Sequence, residues 1–514
     1  MSSTLDAGRF GSGQAVQRIE DPALLKGAGR FTDDVPASGQ AHLAFLRSPY
    51  AHARIVSIDA DAARAMAGVV AVYTGAELAA AGVKPIPSID VFRRADGKML
   101  VTPDRRALAH ERVRFVGEAV AAVVAETREA ARDACEAIMV DYEDLPVVVD
   151  PVAAVAPGAA LIHPDAPDNI AAEMRHGNAA ATAQAFAHAA HVVTLDLVNQ
   201  RVAPSPIEPR SVLAEFDPAS GRLTVRLSSQ MPTAVMTSIV DLLPGFEKGQ
   251  VRVVVGDVGG GFGMKTGIYP EDMVVAWAAR ALQRPVRWQA ERSEDLVSAV
   301  HGRDVVSKAE LALDADGRVL GMRVRSLANV GAYATATGVV IQLMIGPWVS
   351  TSIYDIQTVD LHFLAVLTNE APTGAYRGAG RPEAIYIVER LFDAAARELK
   401  LDPAELRRRN MIRPEQMPYK NQLGQTYDSG AFEKILDLGL ALADWNGFAA
   451  RRAESKRRGK LRGRGIATFL EWTGGNVFEE RVDVVVTADG MIEIFSATQA
   501  MGQGIATSYA QLAR

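Results

Sequence analysis

Val251-Arg252-Val253-Val254-Val255, followed by Gly259-Gly260-Gly261-Phe262-Gly263, decides how this chain is read. The valine-rich run predicts a buried strand. Four glycines in five residues strip a short loop of side chains, so backbone N–H groups can approach an anion closely. Beyond it, Pro270-Glu271-Asp272 leads into Met273, Val274, Val275, Trp277 and Ala278, a helix with proline in its first turn. Strand, loop and helix start together make either an anion cradle or a tight turn used only for packing, and the loop alone reads equally as both. Familiar phosphate-binding spacings fail. A P-loop needs glycine directly before its Lys-Ser/Thr pair, where Met264 precedes Lys265-Thr266. The fingerprint G-x-G-x-x-G, begun at Gly261, would need glycine at Thr266.

Working outward, the length of 514 residues suggests about three domains at ~150 residues each. A net charge of −6 leaves no electrostatic footprint for nucleic acid. No stretch is apolar for the ~18 residues of a membrane span; Gly338 to Val349 is broken by Gln342, Gly346 and Pro347. Met1 to Arg9 lacks an apolar export core and a twin-arginine pair, which predicts a cytoplasmic protein. The single cysteine, Cys135, excludes disulfides within the chain and an all-protein iron–sulfur cluster. It shares a helical face with Ala131 and Ile138 and reads as a small buried hydrophobe. The nine histidines are scattered, and His188 and His191 have no carboxylate beside them to complete a metal set, so no protein metal site is expected.

Along the chain, residues near 20–150 read as a compact mixed segment, with a strand pair at Val113–Val124, a helix at Arg128–Ile138 and a strand at Met139–Tyr142. Pro146 to Pro167 reads as a linker. Three turns, Asp217–Gly221, Asp314–Gly317 and Ala488–Gly490, predict hairpins. The first and third continue into strands ending Ser229-Gln230 and Thr498-Gln499, a weak internal repeat. A unit of ~240 residues would then be followed by one of ~80, too short for a comparable core. Arg451, Arg452, Lys456–Arg458, Lys460, Arg462 and Arg464 read as a solvated linker face.

Two further stretches carry chemistry. Gly374-Ala375-Tyr376-Arg377-Gly378-Ala379-Gly380-Arg381 is a second glycine-rich turn whose arginines suit an anionic or oxo-bearing ligand, or a surface loop held by ion pairs. Met501-Gly502-Gln503-Gly504 offers backbone amides and a carboxamide, or an ordinary turn.

Taken in order, these stretches resemble the molybdenum-cofactor-binding large subunits of the xanthine dehydrogenase, aldehyde oxidase and aerobic carbon monoxide dehydrogenase family. The resemblance runs from Arg18-Ile19-Glu20-Asp21-Pro22 through Arg47–Ala53, Phe115–Ala121, Glu208-Pro209-Arg210 and Ser229-Gln230 to Met501–Gly504. It implies an α/β (α+β) chain: an a/b hammerhead domain at 20–145, a first molybdopterin-binding domain at 165–415, and the incomplete start of a second at 430–514. Gln230 matches a glutamine near the metal's oxo group. Phe262 and Gly263, with Gly261 beside them, match the loop facing the metal. Arg377 borders the substrate side, and Gln503 with Gly504 matches a contact to the pterin.

The resemblance further implies a molybdenum–molybdopterin cofactor, in its cytosine dinucleotide form, held by its own dithiolene sulfurs. Partners would be a small 2Fe-2S subunit and an FAD subunit, assembled as a dimer of heterotrimers. The implied reaction oxidises an aldehyde or N-heterocycle with oxygen from water, electrons leaving through the Fe–S subunit. The family's general-base glutamate would lie beyond Arg514, so no catalytic residue is named, and Glu271 is not promoted to that role. Gly378 stands where carbon monoxide dehydrogenases carry a copper-binding cysteine, which disfavours carbon monoxide. The loop instead resembles the second, functionally obscure form of that large subunit. Thr266 stands where purine hydroxylases carry glutamate, which disfavours xanthine. An inactive or assembly-dependent fragment lacking the base is the second reading; a nucleoside-triphosphate binder is a remote third.

Overall fold

The computed structural model describes residues 10–471 and 481–513, so the Met1–Arg9 stretch read for export signals lies outside the described residues. Its main sheet has seven strands, in the order Val251–Val254, Arg222–Leu227, Ser211–Asp217, Val286–Gln289, Ala41–Arg47, Ala119–Ala125 and Val69–Thr74. Ala41–Arg47 runs parallel to Val286–Gln289 and antiparallel to Ala119–Ala125, so one sheet joins strands far apart in sequence. Ala119–Ala125 is buried at every residue, as a central strand covered on both faces should be.

The Val251–Val255 run departs from its sequence reading. It forms a strand over Val251–Val254, but at the sheet's edge, with Val251 buried and Arg252 exposed. An edge position leaves one side unpaired, so an apolar run here does not enforce full burial. The helix Pro270–Leu282 has proline in its first turn and packs on Ser211–Asp217, burying Met273, Val274, Val275, Ala278 and Ala279.

A second sheet of five strands orders Ile170–Gly177, Val359–Leu367, Val319–Gly331, Val305–Leu313 and His191–Asn199. The helix Arg381–Glu398 lies against its last two strands and buries Val388, Leu391, Phe392 and Ala395 at helical spacing, with Ile385 half-buried on the same face. All three turns close hairpins. The third hairpin, Asp483–Val486 with Ile492–Phe495, is a two-stranded sheet of its own, whereas Arg222–Leu227 is embedded in seven strands. The internal repeat therefore has no equivalent packing among the described residues.

The Pro/Ala stretch connecting the two regions is not a free linker. Pro151, Ala154, Ile162, His163 and Ala166 are buried in it, and Asn169 ties it down by donating to the carbonyls of Ala154 and Ala160. Proline and alanine lose little side-chain entropy on burial, which suits them to a packed connection as well as to an open one. No helix among the described residues is long and apolar enough to cross a membrane. In the basic cluster, Arg464 lies 3.8 Å over the Trp445 ring, an aromatic contact that a reading of charge alone did not include.

Candidate functional site

The glycine loop begins beyond the edge strand and is held from below by a buried lysine. Lys265 Nζ donates to the Glu208 carbonyl at 2.8 Å, to Glu208 Oε2 at 3.1 Å and to Ser228 Oγ at 2.7 Å. Glu208 Oε2 also accepts from the Gly259 N–H at 2.7 Å. Burial depresses the Lys265 pKa and the Glu208 charge opposes that shift. The lysine that invited a phosphate reading is thus committed to pinning the loop.

Above that anchor, the Gly263 N–H donates to Gln230 Oε1 at 2.7 Å, and Gln230 N–H donates to the Lys265 carbonyl at 2.9 Å. A Cβ at Gly261 would lie 2.5 Å from Gln230 Oε1, and one at Gly263 would lie 2.7 Å from the Ala375 carbonyl oxygen. Gly263 also has a φ of +91°, so both positions exclude larger residues on steric grounds. Between them Phe262 has a φ of +53° and is 44% exposed, an uncommon conformation for a bulky residue with its ring in the open.

The second glycine-rich turn closes against the first. Arg377 N–H donates to the Phe262 carbonyl at 2.8 Å, and its guanidinium lies 5.7 Å from the Phe262 ring centre. Arg303 supports the turn from behind, donating to the carbonyls of Tyr376 at 2.9 Å and Arg377 at 2.7 Å. Arg303 and Asp304 are consecutive residues with φ of +65° and +67°. Asp304 is held by Arg201 at 2.6 Å and by Asn329 at 2.9 Å. Gln342, in the π-helical turn Ile341–Ile345, donates to the Arg303 carbonyl at 3.2 Å. Such turns recur at functional sites. Neither Arg303 nor Gln342 was singled out for the site from sequence, although an amide inside the apolar run Gly338–Val349 was the available signal.

Of the seven residues expected at the cofactor, Gln230, Gly261, Phe262, Gly263 and Arg377 are therefore brought together. Gln503 and Gly504 sit in the turn before the helix Ile505–Ala513. Gln503 Oε1 accepts from Met501 N at 2.6 Å and Gln503 Nε2 donates to the Gln499 carbonyl at 3.0 Å, while Arg18 donates to the Gly502 carbonyl at 2.9 Å. No hydrogen bond joins that turn to the glycine loop among the described residues.

Behind the site lies an ion cluster. Arg210 bonds Glu271 at 2.9 Å and Asp295 at 2.8 Å, and Arg47 bonds Glu271 at 2.9 Å. Burial would raise the Glu271 pKa, but the guanidinium of Arg210, then that of Arg47, outweighs it and leaves the carboxyl at about 2. A carboxylate so committed is a poor general base. Among the described residues, no group of three His, Cys, Asp or Glu side chains could hold a metal ion.

The fold is α/β, two glycine-rich turns close on each other within it, and its domains match those of molybdopterin-binding proteins. Residues 26–146 match the aldehyde oxidase and xanthine dehydrogenase a/b hammerhead domain, and residues 162–411 and 438–514 match molybdopterin cofactor-binding domains. The chain belongs to the xanthine dehydrogenase family, among its molybdenum-binding large subunits. It is 34% identical to the nicotine 6-hydroxylase large subunit of Paenarthrobacter nicotinovorans, over 98% of this chain and 62% of that one. It is 35% identical to the carbon monoxide dehydrogenase large chain of Hydrogenophaga pseudoflava, over 96% and 63%. Quinoline 2-oxidoreductase from Pseudomonas putida 86 superposes with a TM-score of 0.87 at 34% identity, over 97% of this chain and 64% of that one. The chain thus spans less than two thirds of the length of these relatives.

Proposed function

We propose that this chain forms the cofactor-facing wall of a cytoplasmic molybdenum hydroxylase that oxidises an aldehyde or N-heterocycle with oxygen from water. One observation carries the reading. The Gln230 carboxamide spends its oxygen on Gly263, leaving Nε2, which only donates, without a partner among the described residues. A lone amide donor beside a loop with glycine at 261 and 263 fits an oxo-bearing group. Gln230, Gly261, Phe262, Gly263 and Arg377 would hold a molybdenum–molybdopterin cofactor of the cytosine dinucleotide form, with Gln503 and Gly504 on its pterin. When bound, that group supplies two-electron oxidation of the substrate carbon. The protein's part is to donate a hydrogen bond from Gln230, to shield one side with the Phe262 ring, and to fix the substrate-side loop through Arg377 and Arg303.

The domain boundaries 20–145, 165–415 and 430–514 and the Fe–S and FAD partner subunits belong to the same proposal. A relative named for carbon monoxide does not transfer its substrate. Gly378 has a φ of +99°, and a Cβ there would meet the Pro382 ring at 2.5 Å, so a cysteine is opposed by backbone and space alike.

Molybdenum content, with the masses of co-purifying chains, tests the reading on the full large subunit. One metal per chain with a cysteine-rich small partner and a flavoprotein supports it. A metal-free, aggregating chain would support the assembly-dependent fragment instead.

A further inference from the structure

A cavity of about 180 Å³ lies beside the glycine loop, where Thr266, Gly267 and Tyr269 form part of its wall. Arg105 enters it from the N-terminal region. This side chain is 9% exposed, yet its guanidinium makes no hydrogen bond and no ion pair with any described residue. Among the described residues, the two acids whose charge reaches it, Glu271 and Glu118, are committed elsewhere. Glu271 serves Arg210 and Arg47, and Glu118 accepts from the Tyr333 hydroxyl and the Arg114 N–H, both at 2.6 Å. The Tyr269 hydroxyl donates to the Met264 carbonyl at 2.6 Å. Burial pushes both tyrosines upward, Tyr269 to about 12 and Tyr333 further, so neither supplies negative charge near neutrality.

A second group points the same way. Ser88 lines the cavity, and its Oγ is buried without a partner. The remaining wall mixes apolar residues, among them Ile86, Pro103, Ile268 and Val300, with the hydroxyl-bearing Ser238, Thr266, Thr335 and Thr337. An unpaired buried guanidinium is costly, and arginine cannot relieve the cost by losing its proton. One guanidinium fork plus one hydroxyl matches a single carboxylate, and the apolar part of the mixed wall matches a small hydrocarbon or ring body.

We propose that Arg105 and Ser88 form a receptor for the carboxylate of a small organic acid. That the acid is the oxidised substrate, an aldehyde or N-heterocycle bearing a carboxylate, rests on the hydroxylase reading. The receptor itself rests on the cavity alone.

Calorimetric titration of the full large subunit, in its complex, with benzoate and its neutral isostere benzamide tests this. Wild-type protein should bind benzoate at least tenfold more tightly. R105Q should erase the preference, R105K should keep part of it, and S88A should lower it severalfold. R105Q should also melt no lower than wild type, because it removes an unpaired charge; a large drop would mark Arg105 as structural and overturn the proposal. Equal affinity for both probes, a preference surviving in R105Q, or inorganic phosphate binding as tightly as benzoate would overturn it too. The heat of binding needs no metal. A molybdenum-free protein with an Arg105-dependent preference would therefore sink the hydroxylase reading alone, and a working hydroxylase without the preference would sink this one alone.

Discussion

The Gly263 N–H donates to Gln230 Oε1 at 2.7 Å across 33 residues of chain, and the Gln230 amide nitrogen keeps no partner among the described residues. Q230A would remove the donor and leave the Gly263 N–H without its partner, at a cost of about 1–3 kcal/mol if no water replaces it. Molybdenum occupancy of the purified large subunit should fall severalfold, with a lowered melting temperature. Q230E keeps the acceptor but loses the donor, so it should retain most of the stability and still lose occupancy. Metal analysis beside a thermal scan separates the two effects, and wild-type occupancy in Q230E would defeat the assigned role.

Gly261 is packed against the same glutamine. G261A would place a Cβ 2.5 Å from Gln230 Oε1 and displace the carboxamide. Overpacking of this kind costs about 1–3 kcal/mol. Circular dichroism should report an intact fold while cofactor content drops.

G378C would not turn the chain into a carbon monoxide oxidiser. The φ of +99° and the Pro382 ring oppose any side chain there. The variant should lose about 1–2 kcal/mol by urea titration, through backbone strain, and show no carbon monoxide turnover in a dye-reduction assay.

Glu271 ties part of the fold's stability to acid pH. Its carboxyl lies at about 2 in the folded chain against an ordinary 4.5. Its stabilisation is therefore complete above about pH 4.5 and fades as pH falls toward 2. Urea midpoints should decline across that window in wild type and decline less steeply in E271Q. At pH 7, E271Q should cost about 3 kcal/mol or more, because Arg210 and Arg47 lose a buried partner.

Cys135 is buried, and burial pushes its thiol up to about 12. Iodoacetamide should leave the native chain essentially unlabelled over an hour and add one group after denaturation, read by intact mass.

Local structure was largely legible. The hairpin turns, the buried face of Arg381–Glu398 and the proline at the start of Pro270–Leu282 all follow from short-range pattern. The spacing of glycines at 259–263 and 374–380 marked two loops, and both belong to the wall. Less legible was what stands behind them. Arg303 and Gln342 carry no local signal of a shared role, and they matter because folding brings the Gln342 amide to the Arg303 carbonyl while the Arg303 guanidinium holds the carbonyls of Tyr376 and Arg377. The run Val251–Val255 misled because valines on an edge strand and on a central strand are written alike.

By itself, then, the sequence determined the elements, the two glycine loops, the family to which they point and the burial of its one cysteine. The elements, loops and cysteine depend on residues within a turn or two of one another, where periodicity and backbone freedom act directly, and the family on the order of such short stretches from Arg18 to Gly504. The tertiary structure alone decided that Ala41–Arg47 joins Val286–Gln289 in one sheet, that Glu271 is neutralised by two arginines, and that Arg105 faces a cavity with no ion-pair partner among the described residues. A charge reads the same in any sequence. Its energy is set by which partners and how much water the fold leaves beside it.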